Sequence, residues 1–237
     1  MVLERKKERI HKIAVLLLYL SAAFALALTV FHYKRFLKKG DDFRAFLLYF
    51  ASFFFLFFAI PCGLIFILNR EPFQFLKEIG CTLGSSKKGF SIAAIGAPLA
   101  VLAGFIGSRN AELRRFYPFS KRACRGPKKF MAYETAYLFL YYLPWEFLYR
   151  GILFFPFVSA LGLIPALCLQ TILSTLYHIG HPDSEIFASL AAGFLFGGIA
   201  YITGSFFYTT FLHALVGIST DIFIYRRDYK FSGAGSR

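Results

Sequence analysis

Long apolar runs dominate the pattern along this chain. Ile13–Tyr33 and Ala45–Asn69 are almost wholly apolar, and Gly89–Gly107 is a shorter run of the same kind. After the basic stretch that ends at Lys129 the chain is apolar nearly to its end. The segments are Met131–Tyr149, Gly151–Leu161, Leu163–His178, Ile186–Thr203 and Phe206–Tyr225. About 20 consecutive apolar residues make a helix that crosses the bilayer core, so the runs predict about seven or eight membrane helices. Gly151–Leu161 reads as a continuation of the helix before it. The later links are short, at Gly162, Ile179–Glu185 and Gly204–Ser205. Short links make antiparallel neighbours in a compact bundle. The expected fold class is therefore all-α, a polytopic membrane helix bundle. Phe53–Phe58, all Phe except Leu56, reads as a lipid-facing surface.

Composition narrows the picture. Of 237 residues 57% are hydrophobic, and aromatics reach 20% with 32 Phe. Little chain is left for a soluble domain. A net charge of +14 would suit a nucleic-acid binder, but the Lys and Arg residues flank the apolar runs. There they act as topology signals and headgroup anchors, which predicts membrane lipids as partners and no nucleic acid. Arg109–Lys129 holds eight Lys or Arg against one acid, Glu112, and is expected on the cytoplasmic side. The basic start and first run resemble a signal peptide, with Ala25-Leu26-Ala27 as a cleavage site. The run continues past that point, so a first membrane helix is the better reading. The four cysteines show no paired spacing, so neither a disulfide framework nor a zinc motif follows. The chain divides into 1–110, membrane helices with basic loops; 111–225, a helix bundle with the ionisable residues; and 226–237, a basic tail.

An ionisable residue inside a span costs about 2.5–3.5 kcal/mol on insertion scales and needs a partner or a function. Glu134, Glu146, Arg150, His178, His213 and Asp221 all fall in the C-terminal runs, and His181, Asp183 and Glu185 in a connecting turn. Glu146 and Arg150 are spaced i,i+4, on one helix face, with Pro144 just ahead to bend the helix. Glu134 reads as an interfacial anchor. One carboxylate and two imidazoles can activate a water by general base catalysis. Glu146, His178 and His213 can equally hold a divalent metal such as zinc, because two histidines and a glutamate are a known set with an open position. Residue types alone leave both open. His-Glu-x-x-His and the serine elbow motifs are absent. Ser174 lies one turn before His178, but no acid is placed to orient that histidine.

Residues from about Phe116 to Asp221 resemble the CAAX-protease and bacteriocin-processing family, also called Abi. Its signature is Glu-Glu-x-x-x-Arg on one helix, Phe-x-x-x-His on a second and His-x-x-x-Asn on a third. Glu146 and Arg150 match the first motif, His178 the second and His213 the third. Trp145 stands where the family has its first Glu, Ser174 where it has Phe, and Gly217 where it has Asn. The stretch from His178 to Glu185 is similar to a bacterial branch with His-x-Gly-Lys-Pro-x-x-Glu, His181 taking the Lys position. The resemblance implies an intramembrane endopeptidase acting on membrane-associated peptides, in a bacterial cytoplasmic membrane. Glu146 or Glu185 would supply the carboxylate. It further implies Glu146 as general base, His178 sharing the proton or binding the water, and Arg150 and His213 stabilising the oxyanion. Trp145, His181, Glu185 and Asp221 would support the site, Asp221 partly replacing the missing Asn. The alternatives are a non-catalytic scaffold or immunity protein of the same fold, or a small transporter. If Glu146 and the two histidines do not converge on one cavity, the enzyme reading fails.

Overall fold

The computed structural model describes residues 2–37 and 41–230. Their regular structure is helical, with no β-strand among them. We label the main helices α1 (Val2–Thr29), α2 (Asp42–Leu68), α3 (Ser86–Arg109), α4 (127–152), α5 (Phe155–Leu161), α6 (Leu163–Leu176), α7 (Asp183–Thr203) and α8 (Phe207–Tyr225). Shorter helices lie in the connections. Leu17–Leu37, Asp42–Leu68, Ser86–Arg109, Asp183–Thr203 and Phe207–Tyr229 are long and apolar enough to cross a bilayer. The protein is an integral membrane protein with an all-α bundle. The remaining apolar runs fall in α4–α6. At 14 residues, α6 is only about 21 Å long, short of the ~30 Å hydrocarbon core.

The aromatic run of α2 departs from the lipid-facing expectation. Phe55 is exposed, but Phe53 and Phe57 are fully buried and Leu56 nearly so. Phe50 stacks on Tyr137 at 4.8 Å and Phe53 on Trp145 at 6.0 Å. An apolar ring suits lipid and protein alike, so the face it takes is decided by the neighbouring helix. Here that helix is α4, which offers Tyr137, Tyr141 and Trp145 in register.

α4 is the central element. Its helical path includes two wide π-type stretches, Leu138–Tyr142 and Phe147–Ile152, on either side of Leu143–Glu146. Pro144 has no N–H to give to the turn before it. The wide turn at Leu138–Tyr142 absorbs that loss, and the helix runs on through the proline.

α3 packs against α8 along most of its length. Glycines allow the approach. A Cβ at Gly104 would meet the Ser219 hydroxyl and lie 2.8 Å from the Val216 carbonyl, and one at Gly89 would meet the Tyr208 ring. At Gly104 the obstacle includes backbone, which cannot rotate away. Gly104→Val is expected to push α3 off α8 and cost about 1–3 kcal/mol. A lowered unfolding midpoint in detergent micelles checks this, and an unchanged midpoint contradicts it.

Candidate functional site

A cavity of about 500 Å³ lies between α3, α4, α7, α8 and the end of α6. Arg150 and Trp145 of α4, His178 after α6, Glu185 of α7 and His213 of α8 all line it. Arg150, His178 and His213 of the three motifs therefore meet at one cavity from segments distant in sequence, and Glu146 reaches it only through its contacts with His213 and Arg150.

One side is built around Glu146, which is fully buried. Its Oε1 lies 2.7 Å from His213 Nδ1 and its Oε2 3.4 Å from Arg150 Nε. A carboxylate only accepts, so His213 Nδ1 carries the proton and donates it to Glu146. The Nε2 edge of His213 stays free of that bond. Arg150 Nε and Nη1 have no hydrogen-bond acceptor. The guanidinium lies 5.7 Å from the centre of the Phe196 ring. Glu146 thus backs the wall rather than lining it, and it holds Arg150 and His213, which do line it.

The other side is built by the turn between α6 and α7. Gly180 adopts φ +97°, a conformation nearly reserved for glycine. The chain reverses there, and Pro182 leads into α7. His178, His181 and Glu185 are thereby gathered. His178 Nδ1 lies 2.8 Å from the Ser174 carbonyl oxygen. A carbonyl only accepts, so Nδ1 donates and Nε2 carries the lone pair of the neutral ring. That Nε2 lies 3.8 Å from Glu185 Oε1. Oε1 also accepts from the Tyr117 hydroxyl at 2.6 Å and from His181 Nδ1 at 3.0 Å. Glu185 Oε2 is buried with no partner. Burial first, and then the Glu185 charge, push the Tyr117 phenol well above its ordinary range. It remains an O–H donor.

Trp145 stands between the two sides. Its ring lies 5.1 Å from the His178 ring and 6.1 Å from the His213 ring.

His181 is placed behind Glu185 rather than on the cavity wall. Asp221, which the resemblance offers as a partial substitute for the missing Asn, lies elsewhere. It is fully buried, its carboxyl group faces that of Glu134, and it does not line the cavity. Glu134 is itself only 5% exposed, which corrects its reading as an interfacial anchor. At the start of α4, Lys128, Lys129 and Met131 are exposed, but the face with Phe130, Tyr133 and Glu134 is buried, so a residue near this helix end is not necessarily near water.

Two tyrosines of the site were missed in the sequence. Tyr117 interrupts the basic stretch within Phe116–Phe119, an aromatic patch in an otherwise charged segment. Tyr142 precedes Glu146 by one turn on the same helix. Its hydroxyl occupies the space that a Cβ at Gly217 would need, and its ring meets His213 edge-on at 4.9 Å. The absent side chain at position 217 was the available signal.

The structure distributes the residues of the metal set offered by the sequence between two sides of the cavity. Glu146 Oε1 takes the His213 Nδ1 proton and Oε2 lies 3.4 Å from Arg150 Nε, while His178 Nε2 stands 3.8 Å from Glu185 Oε1. Among the described residues, no three His, Cys, Asp or Glu side chains are grouped to hold a metal ion.

Comparison with protein-family models matches residues 129–219 to type II CAAX prenyl endopeptidase, Rce1-like. The matched stretch holds Glu146, Arg150, His178, Glu185 and His213, and stops short of Tyr117 and α3. No curated protein and no solved structure matches the chain.

Proposed function

For a chain that is Rce1-like over residues 129–219, we propose an intramembrane endopeptidase that hydrolyses peptide bonds near the membrane surface. The observation that carries this reading is the division of the cavity between donors and acceptors. Arg150 presents N–H donors from one side, and His213, whose Nδ1–H is engaged by Glu146, adds an Nε2–H donor there in its doubly protonated form, while His178 Nε2 and Glu185 present acceptors from the other. A peptide carbonyl held between them would turn its oxygen to the donors and its carbon to a water on the acceptor side. Hydrolysis needs both at once. The acceptors draw a proton from the water, and the donors stabilise the charge that develops on oxygen. Glu146 serves this reading by fixing Arg150 and His213 together.

Loss of one donor to a developing oxyanion costs about 10²–10³ in rate. His213→Ala is expected to lose activity on that scale. The substrate class follows from the family description, a prenylated peptide with a CAAX end. The test is purified protein in liposomes, given prenylated CAAX peptides and unprenylated controls, with products read by mass spectrometry. Cleavage in ¹⁸O-labelled water should place label in the new carboxyl group. A folded protein that cleaves none of these peptides overturns the reading. One observation favours a second reading, a non-catalytic peptide-binding member of the family. Trp145, not a carboxylate, occupies the position beside Glu146. That reading predicts peptide binding without hydrolysis in the same assay.

A further inference from the structure

We propose that Glu185 is the general base of this site and that Tyr117 is its positioning residue, an assignment that rests on the endopeptidase reading above. Four observations lead to it.

Glu185 is the carboxylate that reaches the cavity. Glu146 is fully buried behind the wall, with its oxygens against Arg150 and His213. Glu185 lines the space directly.

The two oxygens of Glu185 are unequal. Oε1 is loaded by Tyr117 and His181, whereas Oε2 is buried and takes no hydrogen bond.

His178 Nε2 and Glu185 Oε1 stand 3.8 Å apart. With Nδ1 donating to Ser174, Nε2 of the neutral ring is an acceptor. Two acceptors at this spacing suit one water that donates to both, at about 2.8 Å to each. Such a water keeps its own lone pairs directed into the cavity.

The hold on Oε1 comes from outside the matched segment. Tyr117 belongs to the loop ahead of α4. Its carbonyl accepts from Lys121 Nζ at 2.7 Å, and the Lys121 backbone N–H donates to Asp42 at 2.7 Å. The loop is thus tied to α2 at one end and to Glu185 at the other. Tyr117 itself lines the cavity, and its hydroxyl is spent on Glu185 Oε1, so it fixes the carboxylate.

Glu185 takes one proton from the water as the water oxygen bonds to the scissile carbonyl carbon. The carbonyl π pair moves to its oxygen, facing Arg150 and His213. When that pair returns, the C–N bond breaks and the Glu185 carboxyl gives its proton to the leaving nitrogen. One water is consumed, and Glu185 ends as a carboxylate again.

A plain structural role for Glu185, as an acid in the first turn of α7 paired with His181, makes different predictions. The test uses a prenylated CAAX peptide with the full-length protein in liposomes. Glu185→Gln is expected to lower kcat by about 10²–10⁴, with the unfolding midpoint and KM near wild type. Glu185→Ala should regain rate on addition of formate, which supplies a carboxylate to the vacated space. Tyr117→Phe should lower kcat about tenfold at unchanged KM, as expected for losing one hydrogen bond to a charged group. If Glu185→Gln does not fold, Glu185→Asp replaces it, and its kcat must fall at least tenfold. A Glu185→Gln protein within threefold of wild-type kcat overturns the assignment and leaves the endopeptidase reading standing. A folded wild-type protein that cleaves no peptide overturns both.

Discussion

Glu146→Ala lowers the stability of the folded bundle by about 3–5 kcal/mol, the usual cost of stranding one member of a buried ion pair. Arg150 is only 2% exposed, and Glu146 is its carboxylate contact, at 3.4 Å. Without Glu146, the guanidinium keeps its charge in a largely buried place, and His213 loses the acceptor for its Nδ1 proton. Glu146→Gln keeps the shape and an acceptor oxygen, so its loss is smaller. The double variant E146A/R150M removes both charges and recovers most of the stability but none of the hydrolysis. Thermal or denaturant unfolding in micelles, followed by the single Trp145, reads all three. An E146A midpoint equal to wild type would show that Arg150 finds another partner.

Gly217→Asn installs the residue that the resembled family carries at this position. It is expected to harm this protein rather than improve it. The Tyr142 hydroxyl already fills the space into which the new Cβ would grow. Tyr142 is buried and in contact with His213, so it can yield only by displacing that imidazole. The expected loss is about 1–3 kcal/mol of stability from overpacking, with kcat falling at least tenfold through the shifted His213. Tyr142→Ala in the same background relieves the clash and returns part of the stability. The cycle of the two substitutions is then strongly non-additive, as contacting residues are. Additive losses would place Tyr142 and position 217 out of contact.

These results depend on details of unequal legibility in the sequence. The bundle was readable because apolar runs long enough to cross a bilayer are rare in water-soluble domains. The pairing of Glu146 with Arg150 was readable because i,i+4 residues share a face on any ordinary helix. The second and third motifs pointed to His178 and His213, and both reach the cavity. Which carboxylate reaches it was not readable. That depends on how far α4 is rotated, and the wide turns at Leu138–Tyr142 and Phe147–Ile152 shift the rotation from that of a regular α-helix. Asp221 failed for a related reason. Its place on an ideal helix relative to His213 carried no information about Glu134 on the facing helix. The contact of Tyr117 with Glu185 spans 68 residues and has no local signature. The aromatic core between α2 and α4 was hidden because a phenylalanine that meets lipid and one that meets tyrosine look alike in sequence.

The wall that α3 gives to the cavity, through Ala103, Ile106 and Gly107, has a consequence for exchange between relatives. The residues proposed to carry the chemistry and part of the surface that a bound chain would touch are encoded in separate stretches of the protein. Selectivity can then drift, or be grafted, without touching a reacting group. A chimera that keeps 111–230 and takes its first helices from another protein with an Rce1-like segment would inherit the donor's preference along that wall. It would keep Arg150, His178, Glu185 and His213 of this one.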